Sequence, residues 1–488
     1  MANAPRGARL AGARAPSYVR AVNEVEARSS RYTARYMLTS DVAYVLTAAE
    51  MNLTPVESAK ELLEALLALI DDLDAIDTTT PPGDIVAQRE AWMRERVGAR
   101  HAAWLHLGRN RGESLRAYLP RLYFRHTLYE ERRAVTGMLR VLVEKAETVL
   151  EAVAPNYHHL QHSGFGTLGE YLLSWVPVFL SHLERLEQAE QRLDYGPSVI
   201  GARKEVHALY DTVSRRLGFS RRAWLRRDGI WMHSQFTEPF FALSLLAVDV
   251  ARMAQDMRIW MTPEFGFFVP ADAHSGGSSA LPHAKVPFGF QAVIGGAIMA
   301  ANRLAGEMSA AAGGPSEGSE PIYHSASLYE GAADIVARTR YMADVIEHGR
   351  FDLEELKRKS TTDYAGSSEA HDRLVYDFGV PFRTGHRLLG VMARADYLGE
   401  PQIDLKKALL EETGRDLDVD QDEIMDIVLG RRLWPTTFDF ERLRELWAEF
   451  SREVAGAEEM LGDENPVERT LEALLAEARA WLARRSGA

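Results

Sequence analysis

The chain has 488 residues, 46% of them hydrophobic, and a formal net charge of -13. That length can bury a large core in more than one structural unit, while the acidic balance argues against nucleic acid or an anionic membrane surface as a main partner. It contains no cysteine, which excludes disulfides, thiolate nucleophiles and Cys-based metal sites.

The first 20 residues carry Arg6, Arg9, Arg14 and Arg20, with no acid before Glu24. They lack an apolar stretch of the kind a targeting peptide needs, so a disordered arm is expected. Thr54-Pro55-Val56-Glu57 reads as a capping box with Pro at the first helical position, opening a Leu/Ala-rich helix towards Asp72. Pro81-Pro82-Gly83 ends that region, and Asp84 can cap the next helix. From Leu128 to Val153, apolar residues recur at three- and four-residue steps: Val135, Met138, Leu139, Leu142, Ala146, Val149, Leu150 and Val153. Similar stripes run over Thr167–Gln191, Pro239–Trp260 and Phe288–Ala311, and Pro177 is expected to kink or interrupt the first of these. The richest apolar stretch, Phe240 to Val250, is broken by Ser244 and Asp249, so no membrane span is predicted and a soluble, cytoplasmic protein is expected. Ala312 to Pro321 is the clearest loop, Ala365-Gly-Ser-Ser368 a boundary, and Gly379-Val-Pro381 and Trp434-Pro-Thr-Thr437 are turn signals. Few segments read as strands. Helices this long, packed side by side, predict an all-α protein built around an elongated bundle.

One loop is the richest in chemistry: Asp272-Ala-His-Ser-Gly-Gly-Ser-Ser-Ala-Leu-Pro-His-Ala-Lys-Val-Pro287. It resembles the mobile signature loop of the fumarase/aspartase superfamily, Gly-Ser-Ser-x-Met-Pro-x-Lys-x-Asn-Pro. Gly277, Ser278, Ser279, Pro282 and Pro287 stand in place, whereas the signature Met is Leu281, the Lys falls on Ala284 and the Asn on Val286. Other blocks are similar to argininosuccinate lyase, the C–N lyase branch of that superfamily. They are His106-Leu-Gly-Arg-Asn-Arg-Gly-Glu113, Pro155-Asn-Tyr-His-His-Leu-Gln161, Trp260 with Glu264-Phe-Gly-Phe267, and Pro381-Phe-Arg-x-Gly-His386. Ser40-Asp-Val-Ala-Tyr44 matches loosely, with Tyr44 where the family has His. These blocks keep the family's order from about residue 37 to 400.

The resemblance implies three mainly helical domains, 1–106, 107–364 and 365–488, the central one a long helix bundle. It also implies a homotetramer whose active sites each draw on three subunits, with a small amino-acid or dicarboxylate substrate. Neither a metal nor another cofactor is expected. His158 and His162 are four apart, a usable ligand spacing on a helix, but no third ligand stands nearby.

In this family a proton is removed beside a carboxylate and an amine is expelled from the neighbouring carbon, leaving fumarate. The resemblance assigns the base to Ser278, which needs a dry, closed site and nearby donors to act as an alkoxide. Ser275, Gly276 and Gly277 are read as the hinge of that closure. His159 matches the histidine that assists the leaving amine; the family's Glu partner falls on Gln291. His158 replaces a Thr that contacts substrate carboxylate. Charged, it takes over carboxylate binding; neutral, it reshapes the pocket. Gln161 and Ser279 complete that wall. Arg109 and Arg111 suit bidentate carboxylate recognition, although Gly112 and Glu113 replace the Asn and Asp that follow in the family. Lys285 stands one residue past the signature Lys: it either reaches the same anion through the loop's freedom or turns away. Tyr323 matches a tyrosine at the arginine-like end of substrate, and Tyr329 stands where the family has Gln.

Kept Ser278, His159 and Arg109 beside a changed rim point to a C–N lyase acting on an N-substituted aspartate-like amino acid other than argininosuccinate. Ala284, Val286, Gly112 and Gln291 favour a second reading, a catalytically silent homologue with a structural or binding role. A superfamily isomerase or cyclising lyase, which keeps proton abstraction but retains the leaving group, is a third.

Overall fold

The computed structural model describes residues 15–76, 85–109, 117–197, 204–223, 225, 234–313, 320–362, 364–432 and 439–486. The expected signals at Pro81–Asp84 and Trp434–Thr437 lie outside them, as do Arg111 to Glu113. Short helical pieces over residues 16–27 stand where the end of a disordered arm was expected, and helices α1 (Ser30–Glu50), α2 (Val56–Asp71) and α3 (Ile85–Ala102) follow. A bundle follows, made of α4 (Tyr118–Thr148), α5 (Leu168–Leu193), α7 (Ser234–Trp260), α8 (Phe288–Gly313) and α9 (Glu320–His348), with α6 (Lys204–Arg216) beside it. At 1.5 Å per residue, α4 spans roughly 46 Å. Its buried Leu128, Val135, Met138, Leu139 and Leu142 follow the predicted three- and four-residue steps, which direct one stripe towards α5 and α9. The class is all-α, as expected.

Three local readings change. Pro55 holds an extended ψ of 134°, so α2 begins at Val56 and no side-chain cap bond forms. The helix runs through Pro177 without a break. The stripe drawn to Val153 stops being helical at Thr148, because the chain turns there into a hairpin of β1 (Val153–His158) and β2 (Gln161–Thr167). Thr167 then caps α5 by accepting from Glu170 N at 2.9 Å.

Short ladders stitch the ends of the bundle. β3 (Phe268–Val269) pairs antiparallel with β6 (Arg350–Phe351), and β4 (Gly276–Gly277) with β5 (Lys285–Val286). After α10 (Leu353–Ser360), which lies against β1, a separate apolar core forms from α11 (Ser367–Tyr376), α12 (Phe382–Leu398), α13 (Leu405–Thr413) and α14 (Gln421–Val428). The last helices, α15 (Phe440–Leu461) and α16 (Pro466–Ser486), return to the main core, packing on α4 and α1 respectively. Among the described residues no helix is long and apolar enough to cross a membrane.

Candidate active site

Three pieces carry the predicted chemistry: the β1–β2 tip, the 272–287 loop and the turn after α3. At the tip, His158 faces Gln161 across the ladder, and His159 and Leu160 form the turn with φ of 54° and 59°. Two consecutive left-handed residues suit the twist of a tight hairpin. All four side chains are exposed; the His158 and His159 rings meet edge to face at 4.2 Å. His158 and His162 thus sit on two strands rather than one helix, which removes the helical ligand spacing. Both ring nitrogens of His162 are used, by Thr362 O at 2.9 Å and Tyr157 OH at 2.7 Å. Among the described residues no group of three metal-ligating side chains occurs.

The loop closes on itself. Gly276 pairs with Val286 and Gly277 with Lys285, leaving Ser278 to Ala284 as the tip. Ser278 Oγ accepts from Leu281 N at 3.0 Å and Ala280 N at 3.3 Å. Two backbone N–H groups aimed at one hydroxyl oxygen favour negative charge there. Ser279 is exposed. Gly276 also answers to space: a Cβ there would lie 2.2 Å from the Phe288 ring. Lys285 Nζ points back to the stem, 2.6 Å from Asp272 Oδ1 and donating to Pro270 O at 3.0 Å. That ammonium pulls the Asp272 carboxyl below its usual range, first by the hydrogen bond and then by charge.

An aromatic wall joins tip and loop. Tyr157 packs on Phe265 and Phe267, Phe267 on Trp260, Trp260 on Phe351, and Phe351 on Phe268. Phe290 continues from Phe268 to Tyr341, whose OH donates to His274 O at 3.2 Å. The Trp260–Phe267 block is therefore the support of the site. Within one chain, Ser278 Oγ and His159 share no hydrogen bond among the described residues.

Arg109 does meet a carboxylate, but an internal one. Its side chain is 2% exposed, with Nη2 2.5 Å from Asp41 Oδ1 and the guanidinium 4.1 Å from the Tyr44 ring centre. Asp41 Oδ2 takes Arg89 Nη1 at 2.6 Å, and both of these side chains are fully buried. Burial lowers the pKa of both guanidiniums; for Arg109, Asp41 with Tyr44 outweighs it and the net shift is upward, whereas Arg89 stays lowered. His106 Nε2 lies 2.7 Å from Arg89 Nη2 and 2.7 Å from Glu90 Oε1. One nitrogen cannot accept from the first and donate to the second at once; burial holds the ring's pKa down, and the tautomer of the ring decides which of the two it serves. Tyr329, expected at the substrate rim, is buried against Tyr123 and Phe124. Tyr323 lies in the first turn of α9, and its side chain, like Arg111, falls outside the described residues.

The lyase family profile Lyase_1 matches residues 13–301. The chain belongs to this lyase family. The argininosuccinate lyase of Methanothrix thermoacetophila is 27% identical over 376 residues, which cover 76% of this chain and 76% of its own. The solved structure of EDDS lyase in complex with formate superposes with a TM-score of 0.75 at 22% identity, over 98% of this chain and 97% of its own. The 3-carboxy-cis,cis-muconate lactonizing enzyme from Pseudomonas putida reaches 0.68 at 18%, over 89% and 99%. At such identities the structures speak for the fold, and the curated relatives place this lyase as an argininosuccinate lyase-like member of the fumarase/aspartase superfamily.

Two acids of this lyase escaped the sequence reading: Asp41, which holds Arg109, and Asp272, which holds Lys285. Each stood inside a quoted block. Asp41 lies far from Arg109 in the sequence, and Asp272 meets Lys285 only because the loop folds back on its stem, so neither pairing carried a local signal.

Proposed function

We propose that this lyase is a carbon–nitrogen lyase that expels an amine from an N-substituted aspartate-like amino acid, giving fumarate or an analogue. The observation that carries this reading is Ser278, whose Oγ already receives two backbone N–H groups at the tip of the 272–287 loop. Those donors stabilise the alkoxide that the base requires. Ser278 takes the proton beside the carboxylate, and the doubly charged intermediate needs positive groups around it. Arg111, Lys285, His158, Ser279 and Gln161 are the groups proposed for the carboxylates, and Tyr323 for the amine half. His159, exposed at the hairpin tip, serves the leaving amine. Arg109, held by Asp41, is assigned to the scaffold rather than to substrate.

Since Ser278 and His159 share no hydrogen bond within one chain among the described residues, the complete site is proposed to form between subunits of a homotetramer. Exposed apolar side chains on α7 and α8 support that assembly: Phe241, Val248, Ile298, Met299 and Met308.

A second reading rests on a specific observation. Lys285, a cation that a dicarboxylate would claim, is occupied by an internal acid, and Arg109, expected to bind carboxylate, is buried against another. A silent homologue with a binding or structural role would keep that arrangement permanently. The test is fumarate release from argininosuccinate and a panel of N-substituted aspartates. Fumarate that disappears in Ser278→Ala establishes the lyase, and the panel member that reacts gives the substrate class. No fumarate from an intact, folded assembly moves the reading to the silent homologue, or to a cyclising reaction that releases nothing.

A further inference from the structure

The stem of the loop is built more firmly than its tip. On one side, Asp272 to His274 form a single 3-10 turn, in which Ser275 N reaches Asp272 O at 3.1 Å and Ser275 Oγ donates to Ala271 O at 3.0 Å. Tyr341 fixes His274 O from α9, and the His274 ring stacks on His348 at 5.6 Å. Gly289, just inside α8, lets the chain pass Tyr341, since a Cβ there would stand 1.9 Å from its hydroxyl. Between these fixed strands lies one contact of a different character. The Lys285–Asp272 pair is short, at 2.6 Å, yet the side chains are 41% and 93% exposed. Ion pairs so open to water are weak and readily exchanged. The loop therefore has a rigid base and a single cation bound by a carboxylate it can give up.

We propose that Asp272 is a positioning residue: it parks Lys285 in the resting loop as a stand-in for a substrate carboxylate, and loop closure exchanges one carboxylate for the other. The proposal rests on the reading that the loop closes over a dicarboxylate. Exchange of like for like keeps the ammonium partnered throughout, so binding does not leave a bare charge under a closing lid. It also sets a modest threshold, because a ligand must outcompete Asp272 before the tip moves.

The test uses the full chain with succinate as an unreactive dicarboxylate probe. Asp272→Asn is expected to tighten succinate binding by about two- to five-fold, the range an exposed pair can contribute. Asp272→Glu should behave as the parent chain. Lys285→Met should weaken binding, and Lys285→Met combined with Asp272→Asn should match Lys285→Met alone, since the acid acts only through the lysine. The absence of cysteine lets a single His283→Cys carry a spin label at the exposed tip. Label mobility should rise with salt in the parent loop and be high at every salt concentration with Asp272→Asn. Unchanged or weaker succinate binding by Asp272→Asn, no succinate binding by any variant, or a label blind to both salt and Asp272→Asn overturns the proposal. Fumarate release is scored separately. Tightened succinate binding without fumarate from any substrate leaves the latch standing and sinks the lyase reading, whereas fumarate with weaker binding by Asp272→Asn does the reverse.

Discussion

Two aspartates in this molecule hold cations at the same distance, 2.6 Å, and do opposite things. Asp41 meets Arg89 where both side chains are fully buried; Asp272 meets Lys285 in water. Buried, neither partner can find a substitute, and losing one leaves a charge that nothing solvates. Exposed, each partner can trade the other for water, salt or ligand at little cost. The first pair fixes a scaffold and the second is available for a switch. Their distance is the same, and burial alone separates the roles.

The largest way to break that contrast is Asp41→Asn. It strands Arg89 and Arg109 together, and a cost of about 3–5 kcal/mol is expected, a large share of an ordinary folding free energy. A denaturant midpoint that hardly moves would show that water enters the cluster. Adding Arg89→Met should recover part of the loss.

Glu131 sharpens the comparison, being an acid buried without an ion-pair partner among the described residues, with only the more distant charge of Arg340 acting on it. It is fully buried and, among the described residues, takes the Thr339 hydroxyl at 2.5 Å, so burial pushes its carboxyl up to about 7. The folded pKa lies above the unfolded one, so the neutral form is the one the fold accepts. Its stabilising share is complete below about pH 4.5 and is lost as pH rises to about 7, a swing on the order of 3 kcal/mol. Glu131→Gln should flatten that decline and stabilise the chain at pH 8, as read from thermal midpoints across pH. Equal midpoints at pH 8 would mean the carboxylate is solvated or paired in the assembly.

The smallest effect belongs to the exposed pair. Asp272→Asn should shift the thermal midpoint by about a degree or less, although it changes succinate binding. A large loss of stability would make Asp272 a scaffold residue like Asp41.

The bundle was legible because helical periodicity is local: the stripes of α4, α5, α7 and α8 need no knowledge of their partners. The 272–287 loop stood out as a candidate through residue types in a fixed order. What stayed hidden depends on distant partners or on unusual backbone. Nothing near Arg109 in the sequence announces Asp41, 68 positions earlier. The β1–β2 hairpin was missed because His159-Leu160 lacks the Asn-Gly or Asp-Gly that marks such turns. Tyr329 aligned with a substrate-facing position, yet its ring packs among Tyr123, Phe124 and Phe236, a burial that only the neighbouring helices decide. The division of the last quarter of the chain between its own core and the main one likewise depends on α15 and α16 returning to α4 and α1.

The left-handed turn at His159 and Leu160 also limits how this site can change. At φ of 54° and 59°, a β-branched replacement is strained at either position, and glycine or asparagine relaxes the backbone. At position 160, where the side chain is 60% exposed, that relaxation sacrifices little packing. At position 159 the same step removes the imidazole. Backbone preference and side-chain chemistry thus pull in opposite directions at one residue of the tip and not at its neighbour. Sequence drift through this hairpin therefore has an open route at Leu160, while every conformationally easier residue at 159 discards the ring.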